Sequence, residues 1–148
     1  IYTGEDTLSL HDALPISDIV LYDVLGDVVC GGFAVPIRSG YADEVLIVTS
    51  GEKMALYAAN NINMAVKNFA DRSYAKVRGI IFNHRNVLNE EEKVHGFAEK
   101  NELDIVGDIP RSDDITRFEE LGKTVIEGNI DLPISKRFLD IAQTLLKE

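Results

Sequence analysis

Three residues near the start of the chain have types and spacing suited to chemistry: Asp23, Gly26 and Cys30. Asp23 ends the apolar stretch at residues 19–22, and an acid at the tip of a buried strand is where nucleotide hydrolases hold Mg²⁺. Gly26 can take the backbone angles that a switching loop needs. Cys30, the only cysteine, precedes two glycines that would let an inorganic cluster approach the backbone. The run indicates a nucleotide switch beside a cluster ligand, although Asp23 could be a plain strand-end acid and Cys30 a small buried hydrophobe.

A second group of polar residues follows two later apolar runs. Asn83 comes after residues 77–82, and Pro110 and Arg111 come after residues 105–109. Ligands of open α/β sheets bind at the carboxyl ends of the strands, so a nucleotide site is expected there. The Asn83 carboxamide can donate to and accept from an adenine edge, while Pro110 and the adjoining backbone clamp the base. Asp113 can add a polar contact or simply cap a helix, and a strand-end Asn or Arg is also a common structural device.

The elements that must position these residues alternate along the chain. Short, nearly continuous apolar runs, typical of parallel strands covered on both faces, lie at residues 19–22, 45–49, 77–82 and 105–109. Helices are predicted at residues 54–69, from a capping-box-like start at Asn89 to about residue 101, at residues 113–121 between a Ser112 cap and Gly122, and from Pro133 to about residue 146. This alternation predicts an α/β fold with a doubly wound parallel sheet.

The composition limits the classes of protein to consider. A net charge of −10 argues against nucleic acid as a main partner, because nucleic-acid-binding proteins carry a basic footprint. The apolar stretches are short and interrupted, so no membrane span and no membrane partner are expected. A single cysteine excludes an internal disulfide and favours a cytoplasmic location, where thiols stay reduced.

The run Tyr-Asp-Val-Leu-Gly-Asp-Val-Val-Cys-Gly-Gly-Phe-Ala at residues 22–34 closely resembles the nitrogenase iron protein family. The similarity continues in order through residues 35–38, 47–52, 54–62, 83–86, 109–111 and 124–127. It extends over roughly residues 18–127. The resemblance implies a sheet of the P-loop NTPase type and assigns roles to individual residues.

In that resemblance, Cys30 would be a ligand of a [4Fe–4S] cluster shared across a homodimer, each subunit giving two of the four thiolates. Asp23 and Gly26 would belong to a Mg²⁺-associated switch. Asp27 would lie near the attacking water or the γ-phosphate, and its alternative is a solvated loop acid. Arg38 resembles a position that docks the catalytic partner, and a solvated surface arginine is the alternative.

The function that the resemblance implies is an ATP-dependent, electron-donating iron–sulfur reductase. It would couple MgATP hydrolysis to one-electron transfer from the cluster to a larger nitrogenase-like component, with ferredoxin or flavodoxin as its low-potential electron donor. Ser112 stands where many family members carry an acid, and residues 113–118 depart from the commonest nitrogenase pattern. Relatives that serve dark protochlorophyllide reductase, nickel-tetrapyrrole synthesis or carbon–sulfur cleavage are therefore alternatives. A clusterless partitioning ATPase is another alternative, against which Cys30 argues.

Residues 1–17 are expected to be an artefact. Residues 7–16 read as one frame of a common short-read sequencing adapter, and residues 1–3 fit its preceding arm. A signal peptide is the alternative, but a basic n-region and an apolar core of adequate length are lacking. Residues 18–148 are then the C-terminal part of an iron-protein domain, without its first strands, and the chain contains no Gly-x-x-x-x-Gly-Lys-Ser/Thr motif. We expect such a fragment to be inactive by itself.

Overall fold

A computed structural model describes residues 19–24, 36–37, 41–69 and 75–147. The described residues form one parallel sheet of strands β1 (Glu44–Thr49), β2 (Lys76–Asn83) and β3 (Ile105–Ile109), in the order β1-β2-β3. Helix α1 (Lys53–Phe69) connects β1 to β2, and α2 (Glu90–Asn101) connects β2 to β3. After β3 come α3 (Asp113–Glu119), α4 (Val125–Gly128) and α5 (Pro133–Leu146). The alternating α/β pattern and the parallel sheet are as predicted.

Helices cover both faces of this sheet. On one face, the buried Phe82 of β2 packs in a cluster with Val94 of α2 and the partly buried Leu56 of α1. On the other face, Gly107 of β3 lies against α5, and a Cβ added to this glycine would lie 2.9 Å from Ile141 Cγ1. The absence of a side chain at Gly107 therefore lets α5 approach the sheet closely. The doubly wound arrangement predicted from the alternation is confirmed.

One irregularity in the β2–β3 ladder decides which side chains share a face. Ile80 pairs with Ile105, but the next residue, Ile81, pairs with Gly107, so Val106 is an extra residue in β3. Side chains alternate between faces along a strand, and one inserted residue reverses that alternation for everything after it. The side chains of residues 107–109 therefore lie on the opposite faces of the sheet from those that they would occupy in a strand without the bulge.

The helix limits follow most of the predicted signals. The Ser112 side chain accepts a hydrogen bond at the start of α3, and Pro133 opens α5, both as predicted. Gly122 has the expected positive φ of 65°, but α3 ends earlier, at Glu119, and a turn lies between them. The capping box predicted at Asn89 is wrong. This residue lies in the left-handed region at φ 55°, and its side chain makes no cap hydrogen bond.

The helices belong to the packing of an α/β domain. The longest, α1, has 17 residues and buries Ala59, Asn63 and Val66. In the part of the chain that the structure describes, no helix combines the length and the apolar character needed to cross a bilayer.

The strand predicted at residues 19–22 is not formed. Residues 19–24 have neither helical nor strand structure, and they pair with none of the three strands. Ile19 is 59% exposed and Leu21 is 85% exposed. A strand needs a neighbour to bond its backbone N–H and C=O groups, and this segment has no such neighbour among the described residues. Asp23 therefore lies on an exposed, irregular segment instead of at the tip of a buried strand.

Candidate functional site

The ends of β2 and β3 bring two of the predicted nucleotide-binding residues to one edge of the sheet. Asn83 ends β2 and pairs with Ile109, which ends β3. The N–H of His84 donates to the Ile109 carbonyl at 2.9 Å, so the two chains stay together beyond the strands. Pro110 follows at once and is exposed. The predicted neighbourhood of Asn83 and Pro110 is present, because parallel strands end at the same edge.

The side chains at this edge are available to a ligand to different degrees. Asn83 is half-buried, and within the described residues no hydrogen bond occupies its carboxamide. Arg111 is exposed. Asp113 is exposed as the first residue of α3, whose cap is supplied by Ser112. The edge therefore offers an unoccupied amide beside the end of β3, where an exposed proline and then two exposed charges of opposite sign follow in the chain.

The loop from β1 to α1 closes the same edge. Ser50 Oγ donates to Glu52 Oε2 at 3.2 Å, and the same oxygen lies 3.9 Å from Arg85 Nε in the loop after β2. A Cβ added to Gly51 would lie 2.2 Å from the Cβ of Glu90, a separation that real atoms do not reach. The backbone at Gly51 thus packs directly on the start of α2, and only glycine fits there.

Glu90 is a buried acid that sequence reasoning missed. Three consecutive acids begin α2, and the last two are exposed. Glu90, by contrast, is only 8% exposed. Its Oε2 accepts hydrogen bonds from the N–H groups of Arg85 at 3.0 Å and Val87 at 3.2 Å, and its Oε1 lies 3.0 Å from His84 Nδ1. One carboxylate therefore holds most of the loop at residues 84–89.

The ionisation of Glu90 reflects this environment. Burial by itself raises the pKa of the carboxyl group, because it disfavours the charged form. Hydrogen bonds from Arg85 N–H, the His84 ring, Val87 N–H and Asn86 N–H act in the opposite direction and outweigh it, so the pKa of Glu90 is lowered from its ordinary value. The loop therefore closes around a carboxylate anion.

The remaining predicted site residues lie elsewhere. Gly26, Asp27, Cys30 and Arg38 fall outside the described residues, so their switch, cluster and docking roles stay predictions. The same holds for the adapter interpretation of residues 1–17.

The residues of this chain do not by themselves fit an iron–sulfur cluster. A [4Fe–4S] cluster takes four thiolates, and the chain has one cysteine. In the described ranges, no group of three or more His, Cys, Asp or Glu side chains could hold a metal ion. The unoccupied Asn83 carboxamide at the sheet edge does fit a nucleotide base, whose edge carries both donors and acceptors.

Comparison with known proteins gives a consistent family. A family model for 4Fe-4S iron sulfur cluster binding proteins of the NifH/frxC family matches residues 2–148. The chain is 45% identical over 128 residues to nitrogenase iron protein 2 of Methanothermococcus thermolithotrophicus, covering 86% of this chain and 44% of that protein. It is 41% identical over 140 residues to the nitrogenase iron protein of Methanococcus voltae, covering 95% and 50%. The chain thus spans about half the length of the curated relatives it matches.

Solved structures show the same fold at lower identity. The MinD cell division protein of Aquifex aeolicus superposes with a TM-score of 0.62 at 22% identity, covering 82% of this chain and 50% of that one. The Pyrococcus furiosus cell division ATPase MinD gives a TM-score of 0.57 at 17% identity, covering 70% and 42%. At these identities the likeness concerns the fold alone, and it confirms the α/β architecture.

Proposed function

Because the chain belongs to the NifH/frxC family of 4Fe–4S cluster-binding proteins, we propose that it is part of an ATP-dependent iron–sulfur reductase. The parent protein would be a cytoplasmic homodimer that takes electrons from ferredoxin or flavodoxin and passes them singly to a larger nitrogenase-like component. The family match supports the reductase class. The edge where Asn83 and Pro110 adjoin is the observation that carries the nucleotide part of the proposal.

At this edge the roles follow from chemistry. The Asn83 carboxamide donates to and accepts from the adenine edge, which no single-function donor such as lysine can do. Pro110 and its backbone bear on the face of the base. Arg111 and Asp113 supply charged contacts from the exposed rim, the former to the phosphates and the latter to hydroxyl groups.

We assign the nucleotide switch and the cluster ligand to residues that precede β1 in the sequence. Asp23 and Asp27 would orient Mg²⁺-bound and attacking water, with Gly26 as the point where the backbone turns. Cys30 would hold one corner of a cluster that supplies the transferred electron when bound. Arg38 would contact the larger component. Residues 18–148 contain no P-loop motif to hold a triphosphate, so this piece by itself would hydrolyse no ATP.

Variants of this proposal differ in the large component that accepts the electron. A dark protochlorophyllide reductase or a nickel-tetrapyrrole reductase would use the same nucleotide and cluster chemistry with another large component. Electron transfer from the full-length protein to each purified large component, measured side by side, would distinguish them.

The nucleotide site is tested by replacing Asn83 with alanine in the full-length protein that carries this sequence. Loss of a paired donor and acceptor should weaken MgATP binding about tenfold or more, as measured by calorimetry. Asn68→Ala is the matched control, because it removes the same side chain from an exposed position at the end of α1. Equal affinities for both variants would contradict the assignment of this edge to the base.

A further inference from the structure

A histidine that the proposed mechanism does not use is fixed on three sides at the candidate base site. His84 directly follows Asn83, and its side chain is only 13% exposed. Its Nδ1 lies 3.0 Å from Glu90 Oε1, and its Nε2 lies 2.9 Å from Asp108 Oδ1. The ring also stacks on Phe82, with 3.7 Å between the centroids and 27° between the planes. The imidazole therefore bridges the end of β2 to both β3 and α2.

The bulge in β3 is what makes this bridge possible. With Val106 as an extra residue, Asp108 pairs with Phe82 and shares its face of the sheet. Phe82 and His84 stand two residues apart in extended chain, so they too share that face. Without the bulge, Asp108 would turn to the opposite face, and Gly107 would stand beside Phe82. The strand irregularity thus delivers a carboxylate to His84.

The number of hydrogen bonds that the His84 ring can donate depends on how many of its two nitrogens carry a proton. A neutral imidazole has one N–H and one bare nitrogen, whereas an imidazolium donates from both nitrogens. Both partners here are carboxylates, which only accept. A third acid, Glu91, has its Oε1 3.9 Å from Nδ1. These three acids, from α2 and β3, are the charged groups of the described residues that lie within 4 Å of the ring, and a ring nitrogen can donate to a carboxylate only when it carries a proton.

The bridge acts on the spacing between the two halves of the base site. Asn83 precedes the ring on β2, and Pro110 follows Asp108 by two residues on β3. A fixed His84–Asp108 contact therefore fixes how far the Asn83 carboxamide stands from the proline face. The Glu90 contact holds the loop beyond it, where Asn86 and Asn89 both have positive φ. A base held against Pro110 then meets the amide at one distance only.

From this geometry we infer that His84 is a positioning residue that sets the selectivity of the site for adenine over guanine. The inference rests on the proposed function, since it needs a base at Asn83. Contact with the proline face is common to all purines, whereas the hydrogen bond from the amide tells their edges apart. A loosened bridge therefore removes the discrimination and leaves much of the general nucleotide affinity.

The test compares MgATP and MgGTP affinities of the full-length protein by calorimetry at one fixed pH. His84→Gln keeps one donor and removes the second, and Asp108→Asn keeps the shape of its side chain while removing the charge. Both should lower the ATP preference about tenfold. His95→Gln is the control, since His95 lies exposed on α2 against Glu91 alone and should leave the preference unchanged.

Each result separates the two proposals. If Asn83→Ala weakens MgATP binding but His84→Gln and Asp108→Asn keep the wild-type ratio of ATP to GTP affinity, the role of His84 is refuted and the site stands. A parallel loss of both affinities would show a merely structural histidine and would also refute it. If Asn83→Ala has no effect, the base site itself is misplaced and both proposals fall. Should His84→Gln fail to fold, Asp108→Asn decides alone.

Discussion

Removing the Glu90 carboxylate should lower the free energy of unfolding more than removing an exposed acid from the same helix. Glu90→Ala deletes an acceptor shared by two backbone N–H groups and one imidazole nitrogen. Hydrogen bonds to a charged group each contribute about 1.5–3 kcal/mol, but they are not additive. Arg85 is exposed and Val87 half-buried, so water can replace part of what is lost. We therefore expect a loss of about 2–3 kcal/mol in the free energy of unfolding.

The assay is denaturant unfolding of the purified protein beside a control from the same helix. Glu92→Ala removes an exposed acid two residues away and should change the free energy of unfolding by less than about 0.5 kcal/mol. Equal effects of Glu90→Ala and Glu92→Ala on the free energy of unfolding would refute the reasoning. They would mean that water replaces the hydrogen bonds of the buried carboxylate without loss of stability.

The pH dependence gives a second reading of the same residue. The folded state lowers the pKa of Glu90, so its ionised form stabilises the protein above the unfolded value of about 4.3. This contribution is lost as the pH falls through the folded-state pKa. The difference in unfolding free energy between wild type and Glu90→Gln should therefore be full at pH 7 and shrink in acid below about pH 4. A difference that grows in acid would have the wrong sign for a lowered pKa.

Other predictions concern packing, the C-terminal helix, the cluster and the switch. Gly51→Ala should destabilise the protein and loosen the start of α2, seen as faster amide exchange there, because the added Cβ overlaps Glu90. Arg78 donates to the Thr144 and Lys147 carbonyls at the end of α5, so Arg78→Met should lose about 1–2 kcal/mol and speed exchange in the last turn of α5, with little change in α1. Cys30→Ser in the full-length protein should abolish the iron–sulfur absorbance while the protein stays folded, and a full complement of iron and sulfide would disprove the ligand assignment. Gly26→Val should keep iron content and ATP binding but lose the acceleration of iron chelation by MgATP; retention of that acceleration would place the switch elsewhere.

The strands that could be predicted from sequence are those whose signal is local. The runs at residues 45–49, 77–82 and 105–109 all form strands of the parallel sheet, and a short continuous apolar run is a local signal for such a strand. The equally apolar run at residues 19–22 failed, because strand structure also requires a paired backbone, which composition does not encode. Asn83 and Pro110 were placed together correctly, since that step needs only parallel strand ends.

Two parts of the site were missed for different reasons, one local and one non-local. The burial of Glu90 could have been inferred from its spacing, because Glu90 lies four residues before Val94 and eight before Ala98 on the buried side of α2. The pairing of His84 with Asp108 depends on one extra residue in a strand. Such a bulge depends on the register in which two strands pair, and the local sequence around Val106 does not predict it.

The order β1-β2-β3, in which neighbours in the sheet are also neighbours in the chain, has a consequence for synthesis. Within the described sheet, β2 and β3 each add to an edge that already exists, through a single helical crossover, so none of these three strands has to wait for a later one to be inserted beside it. The sheet face that carries Gly107 differs, because α5, the last described helix, covers it. At about 5–20 residues per second, that face stays uncovered for some seconds while the rest of the described sheet can already be paired. In that interval the nascent chain exposes an apolar surface with the edge of β3 beside it, which is the stage at which chaperones would have most to protect.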